Sequence, residues 1–180
     1  MENVKPIVIF ILITAVCAGL VGLFYEVTRE PVRIQQEIRQ TEMIAAVLPG
    51  VENTEIAEVE GVDFVTQLVR GYDVQNQLIG YAITSFAPGY SGPVIIMTGF
   101  QEDGTIIAVR VLTQTETPGL GTAIAGLPFL AQFEGRTQTM SVSRMPSLSD
   151  EIQALTSATI STAAIVNAIN SAIGFMATIQ

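Results

Sequence analysis

The stretch Val94–Thr113, VIIMTGFQEDGTIIAVRVLT, decides the fold. Two runs rich in Val and Ile, VIIMTGF (94–100) and TIIAVRVLT (105–113), flank QEDG, where Gly104 supplies the backbone freedom a tight hairpin needs. A second pair lies upstream: FVTQLVRGY (64–72) and QLIGYAITSF (77–86) flank a polar turn at Asp73–Asn76. Two hairpins predict an antiparallel sheet.

Downstream of the sheet, TAIAGLPFLAQF (122–133) is compatible with a short helix interrupted near Pro128, and TQTMSVSR (137–144) with a strand. Ser161–Ile179 predicts a closing helix with Ile165, Ile169, Ile173 and Met176 on one side. Upstream, residues 51–63 carry Glu52, Glu55, Glu58, Glu60 and Asp63, a solvated acidic face with room for one strand and no compelling metal site. Before them, REPVRIQQEIRQTEMIAAVLPG places Ile34, Ile38, Ile44, Val47 and Leu48 near helical spacing and stops at Pro49-Gly50, which predicts a stalk helix.

The amino terminus is different in kind. From Ile7 to Tyr25, IVIFILITAVCAGLVGLFY carries no charge; as a helix it would extend roughly 30 Å, the thickness of a bilayer's hydrocarbon. Lys5 and Pro6 mark one end, Tyr25 and Arg29 the other. A cleavable signal peptide would have a shorter apolar region and a small-residue cleavage site, and a lipoprotein signal would not place Val16 before Cys17. We therefore expect a retained anchor, whose orientation charge does not decide: Lys5 stands against Arg29, Arg33 and Arg39. The expected organisation is tail and transmembrane anchor (1–28), juxtamembrane stalk helix (29–50) and one domain (51–180). The fold class is α+β, a single N-terminal transmembrane helix followed by an antiparallel sheet with packed helices.

Composition removes several kinds of chemistry. Among 180 residues, 17 acidic against 8 basic side chains give a net charge of -9, which repels a phosphate backbone and argues against nucleic acid as a partner. Mean hydropathy of +0.48 agrees with a lipid-facing segment. There is no His, so every Ser-His or Cys-His dyad is ruled out, and a hydrolase is the least expected enzyme. The one Cys allows neither an internal disulfide nor a four-Cys iron-sulfur site. Asp150 and Glu151, just before the closing helix, are expected to be helix-start acids.

Three segments are more than connections. FAPGYSGPVI (86–95) sets Gly89, Gly92 and two prolines around Tyr90 and Ser91, so the backbone can bend closely around a flat or anionic group. TETPGLGTAI (115–124) turns at Pro118 and is freed by Gly119 and Gly121. ALTSATISTAAIVNAI (154–169) brings five hydroxyls, Thr156, Ser157, Thr159, Ser161 and Thr162, into seven residues at the start of the closing helix. Hydroxyls there can cap the helix, or can hold an anion such as phosphate where unpaired amides and the positive dipole end converge. Both readings stand on the sequence.

TETPGLG followed at a distance by ALTSATIST resembles the FMN-binding domain shared by the G subunit of the Rnf electron-transport complex and the C subunit of the sodium-pumping NADH:quinone reductase. The amino-terminal anchor, GYSGPV and the hairpins match as well, and the compact length is more similar to the Rnf subunit. The family's pattern D-x-x-[ST]-G-A-T falls on Gln153–Thr159, with Gln153 at the Asp position, Ser157 at the Gly position, and Ala158 and Thr159 kept; Thr115 replaces the usual basic or His residue before ETPGLG.

The resemblance implies FMN joined through its phosphate to the Thr159 hydroxyl, with Thr156, Ser157 and Ala158 around the phosphate. It implies Tyr90, Ser91, Gly92, Glu116, Thr117, Gly119 and Leu120 near the ring, Tyr90 or Leu120 by its face. The implied function is electron relay, coupled to sodium or proton movement, in a membrane-bound ferredoxin:NAD oxidoreductase. Its implied partners are the other membrane and peripheral subunits, membrane lipid, and a flavin-attaching enzyme during maturation. The implied topology is a cytoplasmic amino terminus and an extracytoplasmic FMN domain. Alternatives are the corresponding chain of a sodium-pumping quinone reductase and a flavin-free, membrane-anchored assembly domain.

Overall fold

A computed structural model of the chain describes residues 4–59, 61–119 and 121–179, without the side chains of 4–7 and 26–37. The expected positions of the Lys5, Arg29, Arg33 and Ile34 side chains, and of Glu60, lie outside the described residues. The chain divides into two compact units, 1–41 and 42–180.

One helix, α1 (Val4–Val47), runs through the segments expected to be anchor and stalk. Its stretch Val8–Tyr25 is long and apolar enough to cross a membrane and buries none of its residues against protein. Exposed Phe10, Ile11, Leu12 and Phe24 suit a lipid solvent and no aqueous one. Cys17 is exposed along the same stretch.

The larger unit is built on a five-stranded antiparallel meander: β1 (Asn53–Glu58), β2 (Val65–Tyr72), β3 (Leu78–Pro88), β4 (Pro93–Phe100) and β5 (Ile106–Thr113), adjacent in that order. Local chemistry makes the turns. Asp73 accepts the amides of Gln75 and Gln77 at 2.8 Å each, and Asn76 takes the left-handed conformation (φ 60°) that its short polar side chain tolerates. In the β4–β5 turn, Asp103 accepts the Thr105 amide and Gly104 has φ 84°. Edge strand β1 carries its acidic residues in solvent, and Glu55 meets Arg70 of β2 at 3.5 Å. An acidic edge discourages pairing with another sheet.

VIIMTGF reads as a continuous apolar run, without polar alternation, because both faces of β4 are covered. On one face Val94, Ile96 and Phe100 join Ile83 and Val109 against α3 (Thr159–Ile179), which contributes Ala164, Ile165, Ala168, Ile169, Ala172 and Met176 at helical spacing. On the other, Met97, Val69, Ala82 and Ala108 pack on Ile44, Val47 and Leu48, the end of the expected stalk. Ile38, assigned to the same apolar face, is exposed. Helix α3 is also long and apolar enough to span a bilayer, but 44% of it is buried, so it reads as a core helix of this domain.

The segment after the sheet is more broken than expected. Residues 121–125 and 131–133 form 3-10 turns around the single α-helical turn α2 (Leu127–Leu130), with Pro128 in its first turn, where its missing N–H costs nothing. The strand expected within 137–144 shrinks to β6 (Ser141–Ser143), which pairs in parallel with β7 (Glu151–Gln153). Asn170 of α3 secures this edge, accepting the Met140 amide and donating to the Met140 carbonyl, both at 2.8 Å.

Asp150 and Glu151 are not helix-start acids. Glu151 begins β7, and its Oε2 accepts the amides of Ser147 at 2.6 Å and Leu148 at 3.2 Å, closing the loop before the strand. The Arg136 guanidinium bridges the same loop to the carbonyls of Gln132, Ser149 and Glu151. Backbone hydrogen bonds from Ser147 and Leu148 hold the Glu151 carboxyl below the ordinary glutamate range. A lowered folded pKa means that the loop's stabilisation is present above the unfolded value and is lost as pH falls through the folded one. Hydrogen-exchange protection at Ser147 and Leu148 should therefore drop in acid, and should be low and insensitive to pH in Glu151→Gln.

Candidate functional site

The five clustered hydroxyls divide into two groups. Ser161 and Thr162 turn inward: Ser161 Oγ donates to Glu116 Oε2 at 2.7 Å, while Thr162 Oγ1 accepts the Leu155 amide at 3.2 Å and donates to the Ala158 carbonyl at 2.9 Å. Thr156, Ser157 and Thr159 are exposed, and their hydroxyls have no hydrogen-bond partner among the described residues. The Thr162 amide donates to Ala158 O at 2.9 Å, so Ala158 is the N-cap and Thr159 the first helical residue, two positions before the expected start. An alanine has no capping oxygen. The surplus of hydroxyls is therefore no set of caps, and the first amides of α3 lack intrahelical acceptors.

Ser157 has φ 64°, a left-handed conformation that costs an L-residue with a Cβ about 1–2 kcal/mol. Glycine adopts it freely, and this is the position where the resemblance places Gly. Ser157→Gly should raise stability by about 0.5–1 kcal/mol, the relief of strain being partly offset by a freer unfolded chain. Chemical denaturation would read the change.

Glu116 joins the three Gly- and hydroxyl-rich segments. It is 4% exposed. Its Oε1 accepts the amides of Tyr90 at 2.8 Å and Ser91 at 3.3 Å, the two central residues of the β3–β4 turn, while Oε2 accepts Ser161. The turn itself is closed by Gly89 N–H donating to Gly92 O at 2.9 Å. A Cβ on Gly89 would collide with Glu116 Oε1, and one on Gly121 would lie 2.6 Å from Glu116 Cβ and 2.9 Å from Oε2. Both glycines are there to let the carboxylate in.

These contacts enclose an open cleft of about 570 Å³, lined by Tyr90, Glu116, Thr117, Gly121, Ser157, Ala158, Thr159, Ile160 and Ser161. That volume lies in the usual range for a small-molecule site. Of the expected residues, the fold brings Tyr90, Glu116, Thr117, Ser157, Ala158 and Thr159 to one cleft. Ser91 and Gly92 line its neighbour instead, a mostly apolar cleft of about 550 Å³ with Phe64, Phe86, Pro88 and Pro93, and Tyr90 borders both. Thr156 and Gly119 are exposed beside the first cleft without lining it, Gly119 donating to Thr122 Oγ1 at 3.1 Å. Leu120 lies outside the described residues. Gly121 and Ser161, picked out in the 115–124 turn and in the hydroxyl cluster, were given no place beside the flavin, and Ile160 was missed, its one signal being its nearness to Thr159 in sequence.

Residues 89–174, from the β3–β4 turn through most of α3, match the FMN-binding domain family. The chain is 29% identical to the G subunit of the ion-translocating oxidoreductase complex of Methanosarcina acetivorans, over 97% of this chain and 95% of that protein. It is also 29% identical to the G subunit of the Na(+)-translocating ferredoxin:NAD(+) oxidoreductase complex of Acetobacterium woodii, over 70% of this chain and 64% of that one. Among solved structures, the fold resembles the C subunit of the Na(+)-translocating NADH-quinone reductase of Parabacteroides distasonis, with TM-score 0.52 and 19% identity over 70% of this chain and 78% of that one. It resembles NqrC of Shewanella oneidensis at TM-score 0.52 and 16% identity, over 61% of this chain and 56% of that one. The stretch similar to the FMN-binding domain family is therefore the part of the chain that holds the cleft.

Proposed function

We propose that this chain is the electron-relay subunit of a membrane-bound, Rnf-type ferredoxin:NAD oxidoreductase, and that it carries FMN esterified through its phosphate to Thr159. The observation that carries the reading is Thr159 itself: an exposed hydroxyl without a protein partner among the described residues, on the first residue of a helix that has no side-chain cap. Similarity to G subunits along 97% of the chain supports the placement in such a complex, and the apolar Val8–Tyr25 stretch supports membrane anchoring.

The residues present fit the group. A phosphate diester on Thr159 keeps one negative charge, which the first amides of α3, the helix dipole and the hydroxyls of Ser157 and Thr156 can hold. The cleft beside it is lined by apolar and aromatic groups, from Tyr90, Ile160 and Ala158, and by polar ones, from Thr117 and Glu116. Bound FMN supplies one- and two-electron chemistry, and the protein supplies position and electrostatics. No proton-transferring side chain is required, which agrees with the absence of His.

A tethered cofactor suits a domain on the extracytoplasmic side, where lost flavin is not replaced from the cell's pool. This chain provides neither an iron-sulfur centre nor a dinucleotide fingerprint, so ferredoxin oxidation and NAD reduction belong to other subunits. A flavin-attaching enzyme acts on it during maturation. To test the reading, the native complex is denatured and its subunits separated by electrophoresis. Flavin fluorescence that stays with this chain is the expected result; fluorescence only in the unbound fraction would refute the covalent tether.

A further inference from the structure

Resting on the FMN reading, we propose that Glu116 is the positioning residue of the site: its buried carboxylate ties the Gly89–Gly92 turn to the first turn of α3, and its charge sets the reduction potential of the flavin in the cleft. Three donors, Tyr90 N–H, Ser91 N–H and Ser161 O–H, meet its two oxygens from segments far apart in the chain. This is the donor set that an ionised carboxylate takes. The Glu116 amide is fixed in turn by Gln114 Oε1 at 2.6 Å, and Gly89 and Gly121, lacking side chains, admit the carboxylate where a Cβ would collide with it.

A purely mechanical tie would not need a charge, because a neutral amide could bridge the same segments without the penalty of burying a carboxylate. Glu116 nevertheless lines the cleft, and no cation among the described residues lies within ion-pair distance of it. An unneutralised negative charge in a partly desolvated site disfavours further negative charge nearby, and reduction of a flavin adds electrons there. The carboxylate therefore lowers the potential, while its three donors limit the effect.

Two properties follow and can be measured on the native, flavin-bearing complex. Glu116→Gln keeps the shape and removes the charge: full flavin attachment and an upward shift of the flavin midpoint potential are expected. Glu116→Ala cuts the tie, and the attachment yield should fall several-fold. Ser161→Ala removes one donor from the carboxylate and should shift the potential downward, the opposite sign; this variant also decides the matter if neither Glu116 variant folds. An unchanged potential in Glu116→Gln or Ser161→Ala, or wild-type attachment in Glu116→Ala, would overturn the proposal. A wild-type chain without flavin in the same preparation would count against the FMN reading itself, whereas flavin-bearing wild type with an unmoved potential counts only against Glu116.

Discussion

Thr159→Ala is expected to abolish covalent flavin on this chain and with it electron transfer through the assembled complex, while leaving the domain folded. The stability side is small: Thr159 is exposed at the first position of α3, its hydroxyl bonds nothing among the described residues, and alanine is a good helix former. A surface substitution of this kind usually changes stability by about 0.5 kcal/mol or less. The chemical side is total, because no other atom replaces the oxygen that forms the ester. Thr156→Ala and Ser157→Ala separate attachment from cradling. Each leaves the Thr159 oxygen in place and removes one hydroxyl from the phosphate, so both should remain flavinylated. Flavin content measured after denaturation, beside the melting temperature of the same samples, distinguishes the two effects.

The second large effect concerns the opposite side of the sheet. Gly99 in β4 faces the end of α1, and a Cβ there would overlap the Val47 carbonyl oxygen, lie 2.8 Å from its carbonyl carbon and 3.0 Å from its Cβ. The obstacle is helix backbone, which cannot rotate aside as a side chain can. Gly99→Ala must push residues 44–48 off the sheet, opening the cluster of Ile44, Val47, Leu48 and Met97. Overpacking of this kind costs about 3 kcal/mol. For a domain of this size that lowers the melting temperature by about 10 °C. Gly174→Ala is the control of opposite sign: nothing lies within 4 Å of the added methyl, and alanine gains up to about 1 kcal/mol over glycine in a helix interior.

The same face shows what the sequence made legible. Hairpin β4–β5 could be read from Val94–Thr113 because the turn is local: Asp103 and Gly104 act on residues within two positions of themselves. Burial of VIIMTGF on both faces was not read from the sequence, where α3 was the one helix given an apolar side within the domain. Ile44, Val47 and Leu48 were assigned to a stalk because the anchor before them dominates the segment; their contact with Met97 bridges about half a hundred residues of chain. Strands β6 and β7, three residues each, are too short to show a period.

In the candidate site, the hydroxyl cluster was visible and its division was not. Thr162 is held inward by neighbours within seven positions, but Ser161 is held by Glu116, 45 positions away. No local pattern reports such a distance. Glu151 shows the reverse error: an acid just before a helix is the ordinary sign of a helix start, and here a loop took the carboxylate first. Ser157 lies between the two cases. Its departure from glycine was plain in sequence, and the left-handed backbone behind it became visible only in the fold.

The bond between FMN and Thr159 is tested most directly by mass spectrometry of the chain taken from its native membrane. Residues 145–180, which follow Arg144, contain Thr159 and no Lys or Arg, so trypsin leaves them in one peptide. It is expected to carry the mass of FMN less one water, with fragment ions assigning the addition to Thr159. That peptide recovered at its unmodified mass, from a complex active in electron transfer, would contradict the account.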